Sequence, residues 1–360
     1  MKDFYSGTRI IAGRGAVKEL KNLGIKRLFL VTDPFFAENG VAQQIATAAQ
    51  AQAAEIFQDV QPDPSVTLAA EGTARVKAFE PDGIVALGGG SAMDCAKAMA
   101  YFSGSKAKLI AIPTTSGSGS EVTDFAILTH EQVKHPLVDA RLRPEVAILD
   151  DELLQKLPPS LIADAGFDVL AHALEAYVAK NAGAITDALA RDAFCSAFAA
   201  LPASFAGNTA VRLKVHVAAT MAGMAFTQAG LGLCHAMAHS LGGMFHVPHG
   251  RLNAILLPAV VSCNAHRAGE KYAVLARSAG LGGSADTVAV RNLKNCLVRL
   301  RTELKLPGTL AQAGVDPRQV WYGMDKIVEA TLADPCCNTN PIAVEGFMVR
   351  QVLEEVMGRV

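Results

Sequence analysis

GIVALGGGSAMDCAK, residues 83–97, decides how this chain is built. Gly83 to Leu87 is a short apolar run of strand character. Three glycines follow, and from Ser91 the pattern turns helical and carries Asp94 and Lys97. Strand, glycine turn and helix in that order form the first half of a βαβ unit. Bare N–H groups at the start of such a helix face the turn, and the helix dipole adds to their preference for an anion, so a pyrophosphate fits there. Ser91 and Asp94 have the spacing of a capping box, with Asp in place of Glu or Gln. Glycine content alone is served as well by a tight turn before a capped helix. The segment is neither G-x-G-x-x-G nor a P-loop, so it is not a standard Rossmann fingerprint.

Working outward, Lys26–Thr32, Lys108–Ile112 and Val146–Leu149 repeat the strand signal between helical patterns, which predicts a mostly parallel sheet. Pro113 to Glu121 (PTTSGSGSE) follows one of these strands and supplies hydroxyls and flexible backbone where parallel strands end, the usual ligand side of an open α/β sheet. Two such loops are a stronger signal than one. Asp33 ends another strand; its carboxylate could bond an adenosine ribose hydroxyl and repel a 2′-phosphate, favouring NAD, although Asp before Pro is also an ordinary turn starter.

Beyond Pro158-Pro159 the strand signals vanish. Helical spacing of Ala, Leu, Val and Met marks 160–180, 186–200, 211–228, 251–265, 284–304 and 343–357. The expectation is a dinucleotide-binding α/β domain over 1–158 and an all-helical metal and substrate domain over 159–360. At 360 residues the chain exceeds the usual size of one core, and a cleft between two domains is the expected ligand site. Thirty-three basic against 34 acidic residues, with no basic run, argue against nucleic-acid and membrane-surface partners. Seven cysteines without CxxC spacing fit reduced thiols, with Cys336-Cys337 the one adjacent pair. The N-terminal stretch MKDFYSGTRII lacks the pattern of a leader, which predicts a cytoplasmic protein.

Four of the nine histidines, His235, His239, His246 and His249, fall within 15 residues. Upstream, Asp168 and His172 are four apart on one predicted helix face. A carboxylate with several imidazoles is a borderline ligand set, suited to Fe(II) or Zn(II) rather than Ca²⁺ or Mg²⁺. On one straight helix His235 and His249 would stand about 21 Å apart, so they share an ion only if the chain folds back. Gly242-Gly243 and Pro248 offer places for the break. His130, His135, His216 and His266 read as ordinary core or surface residues.

GGGSAMDCAK (88–97), IPTTSGSGSEVT (112–123), GFDVLAHALEAY (166–177) and HAMAHSLGGMFHVPHGRLNAILLP (235–258) occur in the order expected of one family. On these motifs the chain resembles the iron-containing, group III alcohol dehydrogenases over nearly its whole length. AGMAFTQAGLGLCHAMAHSLGG and FHVPHG are most similar to the propanol dehydrogenases of propanediol-using bacterial microcompartments. The resemblance implies a Rossmann-like parallel-sheet domain followed by an all-helical metal-binding domain. It also implies NAD(H)-linked interconversion of a short-chain alcohol such as 1-propanol with propionaldehyde, using Fe(II) or alternatively Zn(II). By the same resemblance Asp168, His172, His235 and His249 hold the ion, and His239 stands near the substrate, either supporting the ligands or relaying a proton. Gly89, Gly90, Ser91, Asp94, Lys97, Thr114, Thr115 and Ser118 surround the dinucleotide, and Thr123, Asp124, Phe125, Phe226 and Cys336 lie near the alcohol. A homo-oligomer is expected, and the subfamily likeness suggests packaging in a microcompartment.

The sequence departs from the family twice: Asn340-Pro341 precedes Ile342 where arginine is frequent, and Arg251 stands where a small apolar residue is common. Three other readings stay open: a glycerol or other polyol dehydrogenase, a dehydroquinate-synthase-like lyase, and a metal-binding scaffold. The lyase would want a Lys- and Arg-lined pocket, whereas DFAIL and Phe226 are apolar. The two phosphate loops argue against a scaffold.

Overall fold

Leu28, Phe29, Leu30 and Val31 are all fully buried, so this strand has no solvent face. A parallel sheet covered by helices on both sides demands such runs, since successive side chains point to opposite faces. The computed structural model describes residues 4–131 and 133–358; Met1–Asp3, part of the stretch read for a leader, lie outside the described residues.

One compact unit, Tyr5–Leu157, contains β1 (Arg9–Ala12), β2 (Arg27–Val31), α1 (Pro34–Glu38), α2 (Val41–Ala48), β3 (Ala53–Phe57), α3 (Val66–Phe79), β4 (Gly83–Gly88), α4 (Gly90–Ser103), β5 (Lys108–Pro113), β6 (Phe125–His130), β7 (Val133–Val138) and β8 (Val146–Leu149). Six strands form a sheet in the order β1-β8-β5-β4-β2-β3, each neighbouring pair parallel. Leu28, Leu30, Val85, Leu87, Ile110 and Ile112 pack on one side with Ala42 and Ile45 of α2. Phe29, Val31, Ile84, Ala86 and Ala111 pack on the other with Val76 of α3 and Met93 and Met99 of α4. Having turned from β2 to β3 on one side, the chain places β4 on β2's other side and continues to β5. The carboxyl ends of β2 and β4 therefore flank a switch point, where open sheets bind ligands.

The sequence reading passes over β1, β3 and the antiparallel pair β6–β7. β1 and β3 are the two edges of the sheet; RIIA is mostly exposed and AAEIF mostly half-buried, and both lack the continuous apolar run that marks an inner strand.

The other unit runs from Pro158 onward, against an expected boundary after residue 158. It contains α5 (Pro159–Val178), α6 (Ala184–Phe205), α7 (Arg212–Ala229), α8 (Leu233–Phe245), α9 (His249–Ser278), α10 (Asp286–Glu303), α11 (Pro317–Tyr322), α12 (Met324–Ala333), α13 (Cys336–Thr339) and α14 (Gly346–Val356), with no strand among the described residues. Of the two places offered for the fold-back, the chain uses the second: the histidine-rich segment breaks at His246–Pro248, while Gly242-Gly243 lie inside α8. His246 closes α8 in the left-handed region (φ 55°), and Pro248 cannot donate to the preceding turn, so α9 starts afresh at His249.

Candidate metal centre and cofactor loops

Three helices bring the ligand candidates of the helical unit together. Asp168 and His172 project from α5, His235 and His239 from α8, and His249 from the first turn of α9. One ligand atom each from Asp168, His235 and His249 lies within 4.8 Å of the others. Asp168 Oδ1 is 3.6 Å from His235 Nε2, 3.5 Å from His249 Nε2 and 3.7 Å from His172 Nδ1. These separations are too long for good hydrogen bonds and close to the edge lengths of a coordination shell with 2.0–2.2 Å radii, roughly 3.3 Å. His172 is stacked between Phe226 (ring centroids 4.5 Å apart) and His235 (4.4 Å). The donor set and its convergence fit a divalent first-row ion.

Electrostatics agree. Burial works to raise the Asp168 carboxyl, but His172, His249 and His235 outweigh it and hold it below its ordinary value. Burial works to lower His235, yet the nearby carboxylates of Asp168 and Glu175 raise it to about 9. Burial, joined by the neighbouring His239, His235 and His172, instead holds His249 well below its ordinary value, so the pocket raises one imidazole and lowers the other. His239 points its Nδ1 at Asp334 Oδ2 (2.8 Å) and stacks on His249 at 5.2 Å. Burial opposes ionisation of Asp334, but bonding to His239 brings its carboxyl down to about 2. His239, Asp334 and Cys336 gather in turn within 4.8 Å, and Asp334 Oδ1 accepts the Cys336 N–H at 2.8 Å.

Several residues here escape the sequence reading. Glu175 accepts or shares a proton with His235 Nδ1 at 2.6 Å; at seven residues beyond Asp168 it continues the same helical face, a period that could have found it. Asn253, one turn beyond His249, sets its amide nitrogen 2.8 Å from Asp168 Oδ1, 3.4 Å from His235 Nε2 and 3.2 Å from His249 Nε2. Asp334 carries no local signal beyond lying two residues before Cys336. The unusual Arg251 forks onto Asp164, with Nε–Oδ1 3.2 Å and Nη2–Oδ2 2.9 Å. Gly250 permits that approach: a Cβ there would sit 2.0 Å from the Asp164 carbonyl oxygen.

In the α/β unit the two loops face each other. A Cβ on Gly89 would lie 3.4 Å from Thr115 Oγ1, and one on Gly90 3.5 Å from the Ser118 Cβ. Gly88 turns the chain at φ 150°, where a Cβ would meet that of Ala92 at 2.6 Å. The expected capping box at Ser91 and Asp94 is absent: Gly89 is the N-cap and makes no side-chain cap bond, so the first N–H groups of α4 stay free of a side-chain cap. Ser91 and Thr114 flank this turn in the sequence, Ser91 partly exposed and Thr114 buried. Asp33 lies two residues beyond the end of β2, caps α1 through the Phe36 N–H at 3.2 Å, and has Oδ2 3.6 Å from the Cβ position of Gly88.

Lys97 behaves differently. Its Nζ donates to Ser120 Oγ (3.0 Å), Thr123 O (3.1 Å), Thr123 Oγ1 (2.8 Å) and Phe125 O (2.9 Å), and Ser120 Oγ donates onward to Asp94 Oδ1 at 3.1 Å. Burial lowers Lys97 to about 8 against the pull of Asp94, and raises Asp94 to about 6. Thr123 is fully buried in this network, while Asp124 pairs with Arg143 at 2.7 Å.

The family profile for Fe-containing alcohol dehydrogenases, C-terminal part, matches residues 162–357, and that for iron-containing alcohol dehydrogenases matches 7–151. The chain belongs to the iron-containing alcohol dehydrogenase family. It is 40% identical over 371 residues to the 1-propanol dehydrogenase PduQ of Citrobacter freundii, covering 99% of this chain and 100% of the relative. An NADPH-dependent butanol dehydrogenase of Clostridium saccharobutylicum is 36% identical, over 96% of this chain and 95% of its own. Among solved structures, sulfoacetaldehyde reductase from Bifidobacterium kashiwanohense, in complex with NAD+, superposes with a TM-score of 0.89 at 27% identity, over 99% of this chain and 98% of that one. As a member of the family the chain is an NAD-dependent alcohol dehydrogenase, and NAD(H) with a divalent metal are its cofactors.

Proposed function

We propose that this alcohol dehydrogenase interconverts a short-chain primary alcohol, 1-propanol first, and its aldehyde, with Asp168, His172, His235 and His249 holding Fe(II) or Zn(II). The convergence of Asp168, His235 and His249 within 4.8 Å carries the reading, and the 1-propanol relative supports the substrate. A divalent ion held there supplies Lewis-acid polarisation of the alcohol or aldehyde oxygen, and the nicotinamide takes or gives the hydride.

The chain's own residues do the rest. Phe226, buried against His172, gives the alcohol an apolar wall and keeps water out, with Cys336 beside His239 as a further wall. His239, fixed through Nδ1 by Asp334, keeps Nε2 to carry the hydroxyl proton toward solvent. Gly89, Gly90 and Ser91 offer N–H groups to the pyrophosphate, with Thr114, Thr115 and Ser118 opposite. Asp94 and Lys97 brace that second loop from below, and Thr123, Asp124 and Phe125 contribute to the site through the same loop. Asp33 accepts from the adenosine ribose and repels a 2′-phosphate, which selects NADH over NADPH. Homo-oligomerisation, and residence in the cytoplasm or a microcompartment, belong to this proposal on the strength of the sequence resemblance.

The test is NADH oxidation by chelator-stripped protein reconstituted anaerobically with Fe(II) or with Zn(II), crossing propionaldehyde with butyraldehyde and NADH with NADPH. Restored turnover on propionaldehyde with NADH is expected. Turnover confined to glycerol and other polyols would move the assignment to a polyol dehydrogenase, and preference for NADPH would remove the role of Asp33.

A further inference from the structure

Glu175 is 2% exposed and holds a position that helix capping alone does not require. Its Oε1 accepts the Cys234 N–H at 2.7 Å, and its Oε2 faces the N–H groups of Gly232 (3.1 Å) and His235 (3.3 Å). His235 Nδ1 lies 2.6 Å from the same Oε2. Backbone N–H groups only donate, so both oxygens are acceptors, and the proton in the short contact belongs on Nδ1. An imidazole protonated at Nδ1 has its lone pair on Nε2, the atom directed toward Asp168 and Asn253. Gly232 makes room for this: a Cβ there would stand 2.9 Å from Glu175 Oε1 and 2.8 Å from Asn340 Oδ1. Asn340 Oδ1 in turn accepts the Leu233 N–H at 3.1 Å, so two buried side chains take up the start of α8.

We infer that Glu175 is the positioning residue of the metal site: it fixes His235 with Nδ1–H, leaving Nε2 as ligand, and anchors the start of α8 with the same carboxylate. This rests on reading Asp168, His235 and His249 as the ion's ligands. α5 then acts as the template of the centre, presenting Asp168 and His172 to the ion and Glu175 to the neighbouring ligand's far nitrogen. The arrangement is that of a carboxylate–histidine–metal relay, in which the outer carboxylate sets tautomer and orientation.

Glu175→Gln separates this role from packing. The amide keeps the size but must turn an NH₂ toward donors, and His235 answers by accepting at Nδ1 and protonating Nε2, the atom the ion needs. Zn(II) affinity, measured by chelator competition on the full-length chain, should fall about 10–100-fold, with far-UV circular dichroism and NADH binding retained. Wild type and variant with affinities within twofold of each other would overturn the inference. Should the variant not fold, ¹⁵N-histidine NMR of Zn(II)-loaded wild type decides. His235 with Nδ1–H and a coordinated Nε2 supports the inference, and the opposite pattern overturns it. Failure of the wild type itself to take one Zn(II) per chain would instead overturn the metal reading, and this inference with it.

Discussion

Each unit buries a charged cluster, and the two are built on opposite logic. Around Lys97 every hydrogen of the ammonium has an acceptor in Ser120, Thr123 or Phe125, and the carboxylate of Asp94 closes the circuit through Ser120. Around Asp168 the Nε2 atoms of His235 and His249 face the carboxylate, and the amide of Asn253 donates to it. The first cluster is complete and suits a structural post under a loop. The second gathers a carboxylate and several imidazole nitrogens around a single amide donor, the composition of a ligand set. A buried polar cluster is thus judged by its balance of donors and acceptors more than by its count of charges.

The comparison breaks first at the metal site. Asp168→Asn or His249→Ala should abolish one-per-chain metal binding and cut turnover by roughly three orders of magnitude, the equivalent of several kcal/mol of lost polarisation. Metal analysis beside steady-state rates checks this, and retained stoichiometry in both variants would deny the cluster its role. Lys97→Met is expected to leave metal content untouched while destabilising the fold by about 3 kcal/mol, because buried acceptors lose their donor. Denaturant unfolding measures it; loss of NADH binding at unchanged stability would make Lys97 a direct cofactor ligand instead.

The pH dependence sharpens the same contrast. His235 has a folded pKa of about 9, above its ordinary value. In the metal-free protein its contribution is fully present below about pH 6.5, the unfolded value, and is lost as pH rises through 9. A metal ion must displace that proton, so Zn(II) affinity should climb about tenfold per pH unit from 7 to 9 and then level off. Titrations at three pH values suffice, and a flat profile would place the proton elsewhere. The smallest effect is expected of Arg251→Ala. Breaking its partly exposed fork on Asp164 should cost about 1 kcal/mol in thermal or chemical unfolding, with metal affinity nearly unchanged; a large loss of metal would give the pair a place in the centre.

Much of this was legible without coordinates. The strands β2, β4, β5 and β8, buried but for Arg27 and Lys108, announce themselves because an inner parallel strand is apolar on both faces, and Gly88 marks the turn because its φ and its contact with Ala92 leave no room for a side chain. Asp168 and His172 share a face by helical period alone, and the ordered motifs point to the family. What the sequence could not state is which distant groups meet. The edge strands β1 and β3 are hidden by their solvated pattern. The spacing at Ser91 predicts a cap, but the helix begins earlier, at Gly90. The fold-back depends on His246 adopting a left-handed turn, which its residue type permits but does not dictate. Glu175 reaches His235 across 60 residues of chain and Asp334 reaches His239 across 95, contacts that no local period encodes. Local sequence determines elements and inventories because φ, ψ preference and side-chain period act over a few residues. The tautomer of a histidine and the balance of a buried cluster were decided only by tertiary packing, because both depend on which donor or acceptor another helix carries into reach.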